Sequence, residues 1–281
     1  MPSSCSSNLQ AARELLADSD EALASLAMDS ILKGGKAEET LGLLQEESDK
    51  NVRRRAHQLG ALLQQNAILD KLVKDYEQAR ISALEALTQI DLLYDTSSSP
   101  SFLRDLLQRT EKKFRQRCRG PLTPQKLCDI MESEGFFVPP MPWIAIEDYL
   151  LGDVLGGDGG AAPLVLSLLC CHLAALRGLE AQVVFCNGFI GFLSKEWICL
   201  PERGWQCQRL QEQDEICPLH DQQILQLYLC QLLTGALASW EVYDTHLFLE
   251  ILQRLDGLQE NPLPYPYGPR TAAPQPGESP Q

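Results

Sequence analysis

The chain has 281 residues, 44% of them hydrophobic and 22% charged, with a formal net charge of −14 and an isoelectric point near 4.7. That composition is typical of a folded globular protein, long enough for one large or two small domains. Its acidity repels phosphate backbones, so nucleic acid is excluded as an expected partner; the one basic cluster, KKFRQRCR at 112–119, reads as the solvated face of a helix.

The opening MPSSCSSNLQ has neither a basic n-region nor an apolar h-region, so the expected compartment is the cytosol. The longest apolar stretch, APLVLSLLCCHLAAL, is shorter than the roughly 20 residues that span a bilayer. It predicts a buried helix and no membrane partner. Ten cysteines scattered through such a chain predict reduced, mostly buried thiols rather than a disulfide framework.

From Gln10 to Asp95 the pattern is helical, with turns at DSD (18–20), GGK (34–36) and SDK (48–50). Leu15, Leu16, Leu23, Leu26 and Ile31, then Leu41, Leu43, Leu44, Val52, Leu59, Leu62 and Leu63, recur at helical spacing. The rhythm is that of a HEAT-type helical lead-in, assigned to residues 1–65. Residues 67–94 predict one long helix, or two joined, ended by TSSSP at 96–100.

Further turn chemistry lies at GPLTP (120–124) and VPPMP (138–142). Between them PQKLCDIMESEGFF predicts a helix capped by Thr123, started by Pro124 and closed at Gly135. The glycine-rich GDVLGGDGGAAP lacks the lysine and spacing of a phosphate loop and reads as a flexible linker. After the buried helix, AQVVF, NGFIGFL and KEWICL predict strands with a glycine-containing turn. ILQLYLCQLLTGALASWEVYDTHLFLEILQRL predicts an antiparallel helix pair, and NPLPYPYGPRTAAPQPGESPQ a disordered proline-rich tail. The expected fold is therefore α+β and predominantly helical, with a buried helix and a short antiparallel sheet flanked by helical segments.

Cys170, Cys171 and His172 are consecutive on the buried helix and point about 100° apart, so they cannot converge on one atom. Packing is the expected role of both cysteines, and His172 shows no partner in the sequence.

The stretch APLVLSLLCCHLAALRGLEAQVVFCNGFIGFL resembles the SirB-type transglutaminase-like family, whose members read G-N-P-x-S-L-S-L-L-Y-L-x-x-A-R-x-L-G-L-P, then G-H-F, then D-P-F. The order of the flanking helices resembles longer bacterial members, so the resemblance covers about 240 residues. It implies a transglutaminase-like domain over 66–215, between the HEAT-like lead-in and a tetratricopeptide-like helix pair at 216–260, with the tail at 261–281. In the wider superfamily a cysteine at the helix start attacks a carbonyl while a histidine and an aspartate on following strands activate it.

Aligned through Gly178, the nucleophile position falls on Pro163, the histidine position on Phe189 and the third position on Cys199. The resemblance thus implies a scaffold without its catalytic triad, a non-catalytic interaction or regulatory module with a protein partner and no cofactor. The expected docking surface surrounds Pro163, Phe189 and Cys199.

A rival reading is a cysteine hydrolase or acyl transferase with its nucleophile moved to Cys186 or Cys199 and His220 recruited as base. A third is a zinc-stabilised structural protein. Cys199, Cys207, Cys217 and His220 are its weak ligand candidates, since they lack two tight Cys-x-x-Cys pairs.

Overall fold

A computed structural model describes residues 4–33, 37–140 and 145–257. The GGK turn, the end of VPPMP and the proline-rich tail lie outside the described residues. The chain divides into two units, at Lys71 and Leu72.

The first unit holds α1 (Ser4–Ala17), α2 (Glu21–Lys33), α3 (Ala37–Gln45) and the greater part of α4 (Lys50–Glu77). Leu16, Ala27, Met28, Leu44, Val52 and Leu59 form its core. Leu15, Leu23, Leu26 and Leu43 stay exposed, because helical neighbours such as Leu15 and Leu16 cannot face one core together. The turns follow from local chemistry. Asp49 Oδ1 accepts from the N–H groups of Asn51 (2.7 Å) and Val52 (3.2 Å), capping α4. Buried Arg55 donates through Nη1 to the carbonyls of Leu16 (2.7 Å) and Asp18 (2.6 Å), fixing the end of α1.

The second unit starts within the last turns of α4. The chain leaves the helix at Ala79, which takes φ +49°, and Ser82 caps α5 (Ala83–Tyr94) by accepting from Glu85 N at 3.3 Å. Residues 67–94 are thus two helices joined by a short break. Next come α6 (Pro100–Arg117), α7 (Pro124–Ser133), α8 (Leu151–Gly156) and α9 (Pro163–Ala175). α7 has the expected cap: Thr123 accepts from Lys126 N at 3.3 Å, Pro124 starts the first turn, and Gly135 takes φ +88° beyond the end. The glycine-rich run departs from the linker expectation. Its first residues form α8, because two N–H groups there find the carboxylate of Asp91 on α5: Leu151 N at 3.0 Å and Gly152 N at 2.6 Å.

α9 is buried along nearly its whole length, as an all-round apolar helix must be. It packs on an open five-stranded antiparallel sheet of β1 (Gln182–Cys186), β2 (Phe189–Ser194), β3 (Trp197–Leu200), β4 (Gln206–Arg209) and β5 (Ile216–Pro218), in the order β4-β3-β2-β1-β5. Asn187 and Gly188, at φ +50° and +84°, make the two-residue turn between β1 and β2. Gly191 on β2 lies so close to β3 that a Cβ there would collide with the Cys199 carbonyl.

The helix pair α10 (Asp221–Ala238) and α11 (Val242–Leu255) packs with the core, α10 against α5, rather than as a separate unit. The molecule is predominantly helical α+β, and among the described residues no helix is long and apolar enough to cross a membrane.

Candidate functional site

Cross-strand pairing decides which side chains can meet. Cys199 on β3 pairs with Phe192 on β2 and with Cys207 on β4, so those three share one face of the sheet. Phe189 is three positions from Phe192 and faces the opposite side, against the small cluster of Val184, Cys186, Ile198 and Leu200. Arg203 stacks over its ring, 4.0 Å from the centroid. The positions aligned with the histidine and the aspartate therefore point to opposite faces. Pro163 is the first residue of α9, and both it and Cys199 are buried, so they offer no docking surface.

The consecutive cysteines of α9 diverge as helical geometry requires. Cys170 is buried and burial pushes its thiol far up; Cys171 is half-buried and its thiol is pushed up to about 12. Neither supplies a thiolate at neutral pH. His172 does have a partner, which the sequence does not reveal: Nε2 lies 2.9 Å from Glu111 Oε1 and ties α9 to α6.

Of the four zinc candidates, the structure brings together two. Cys199 and Cys207 are directly opposite, with sulfurs 3.0 Å apart. Cys217 is exposed on β5, three strands from β3 and about 14 Å away at normal strand spacing; His220 follows just beyond it. The residue that sequence reasoning missed is Cys128. α7 packs against β3 and β4, and the sulfurs of Cys128, Cys199 and Cys207 all lie within 4.8 Å of one another. Cys128 sits on the buried side of α7, 71 positions before Cys199, where no spacing rule links them.

The three thiols are electrostatically unequal. Hydrogen bonds from Cys128 and Cys199 hold the Cys207 thiol well below its ordinary range, because they stabilise a sulfur anion. Cys199 is pushed up by its hydrogen bonds to Cys128 and Cys207 and by burial. Its bond to Cys199 favours the Cys128 anion, but the bond to Cys207 and burial outweigh this and leave Cys128 raised. Of the three, Cys207 is the half-buried member and the one whose thiol is lowered.

A second feature is an open cleft of about 520 Å³ beside α8, lined by Asp91, Asp95, Asp148, Asp153 and Phe102 among others. Burial pushes Asp91 up to about 7, and burial also raises Asp148 and Asp153. Asp91 is occupied in holding α8, so the cleft is first of all a structural joint.

No family model matches the chain, nor does any curated protein or solved structure.

Proposed function

We propose that the protein is a non-catalytic interaction module of the cytosol, built on a helical frame around a degenerate transglutaminase-like core. One observation carries this reading: the tip of the α10–α11 hairpin presents Leu237, Trp240 and Val242 to solvent, with Trp240 88% exposed. Trp240 also takes φ +59°, a left-handed conformation that costs roughly 1–2 kcal/mol for a residue with a Cβ. Exposed tryptophan flanked by aliphatic side chains matches the anchors of protein interfaces, where tryptophan and its pocket supply much of the binding energy.

The catalytic alternative has less support. Cys186 and Cys199 are buried, their thiols are raised, and among the described residues no cysteine hydrogen-bonds to a histidine. A photo-crosslinking residue placed at position 240 in the full chain tests the reading in cells. The expected result is a discrete protein adduct from position 240 and none from the same residue at Gln213, an exposed site elsewhere. Glutamine–amine transfer or peptide hydrolysis by the pure protein would overturn it.

A further inference from the structure

Three sulfurs from three elements converge where α7 crosses the β3–β4 edge of the sheet. Cys128 and Cys199 are fully buried and Cys207 is partly open to solvent. Tetrahedral zinc with Zn–S bonds of about 2.3 Å needs sulfurs about 3.8 Å apart. The Cys199 and Cys207 sulfurs are 3.0 Å apart and no pair in the group is more than 4.8 Å apart, limits that bracket the required value.

We propose that Cys128, Cys199 and Cys207 form a binding site for Zn2+, with the fourth position open to water on the Cys207 side. An all-sulfur donor set selects a thiophilic ion and rejects Mg2+ or Ca2+. Charge then decides between the thiophilic candidates. Three thiolates around Zn2+ leave one net negative charge in a largely apolar pocket, whereas Cu+ would leave two. Asp129, whose negative charge already acts on Cys128 and Cys207, makes the second charge costlier still.

Zn2+ displaces the thiol protons as it closes the site. The ion then joins α7 to the sheet edge. Packing alone accounts for one buried cysteine easily, since a thiol behaves as a small hydrophobe. It gives no reason for three thiols to meet at the junction of a helix and two strands.

The test uses the full chain, reduced under argon, stripped with a chelator and titrated with Zn2+ against a chromophoric competitor. The expected result is uptake of a single equivalent with release of protons, and loss of that equivalent in Cys128→Ala and in Cys207→Ala. Cys230→Ala, which alters an exposed thiol on α10, should retain it. Circular dichroism shows whether each variant still folds. The unmodified protein supplies two readouts that do not depend on variants: Zn2+ should suppress alkylation of Cys207, and Co2+ in its place should show thiolate-to-metal charge-transfer absorption. The proposal is overturned if the unmodified chain takes up no Zn2+ or if bound Zn2+ leaves Cys207 as reactive as before.

Discussion

Cys207 and Asp91 show how burial and hydrogen bonding divide the chemistry of single residues. Cys207 accepts from the Cys199 thiol at 3.0 Å, its own thiol is lowered and it reaches solvent, so it should be the first of the described thiols to react with limiting iodoacetamide at neutral pH in metal-free, reduced protein. Peptide mass spectrometry checks this; Cys170 and Cys199, buried and raised, should stay silent, and labelling of Cys199 ahead of Cys207 would refute the order of the two thiols. Asp91 behaves in the opposite sense. Its pKa is raised from 3.8 to about 7 by burial, partly offset by the N–H donors of Gly152 and Leu151, with Asp153 and Asp95 adding repulsion. The folded state therefore binds a proton that the unfolded chain releases near pH 4, so stability falls as pH rises from about 4 to about 7. Full ionisation costs on the order of 4 kcal/mol. Asp91→Asn should flatten the urea-unfolding free energy across that window, although the amide can accept only one of the two N–H donors. An unchanged slope would place the titration elsewhere.

The elements differ in how far local chemistry specifies them. α7 was legible to the residue, because Thr123, Pro124 and Gly135 act on their own backbone. The β1–β2 turn was equally legible, because Asn187 and Gly188 accept positive φ. β4 and β5 were not: Gln206–Arg209 and Ile216–Pro218 carry little strand propensity and exist through pairing with β3 and β1. α8 was missed for a related reason, since a glycine-rich segment turns helical only when a carboxylate 60 positions earlier meets its first N–H groups. The same non-locality hid Cys128 from the search for ligands. Strand packing also gives a sharp prediction at Gly191. An added methyl would meet the Cys199 carbonyl, so Gly191→Ala must push β2 and β3 apart and should lower stability by about 1–3 kcal/mol. Chemical denaturation checks this, and a neutral effect would mean that β3 yields freely.

At the scale of the whole molecule, 38 acidic residues against 24 basic ones leave the chain strongly self-repelling at neutral pH. This property was fully legible in the sequence, because it depends on composition and not on fold. Surface ion pairs such as Arg115–Glu111, Arg117–Glu134 and Arg209–Glu196 do little to offset it, since they join side chains that are largely exposed on the arginine side. Such pairs contribute about 0–1 kcal/mol each. Raising ionic strength from about 0.01 M to about 0.15 M shortens the screening length from roughly 30 Å to roughly 8 Å. That removes most of the repulsion between distant carboxylates while leaving buried contacts such as Asp91 with Leu151 and Gly152 intact. The thermal midpoint at pH 7 should therefore rise with KCl over this range. A midpoint that fell would show that attractive pairs outweigh the net charge. Near pH 4.7 the charge vanishes, so the salt effect should shrink toward zero there; its persistence would assign the stabilisation to specific ion binding instead.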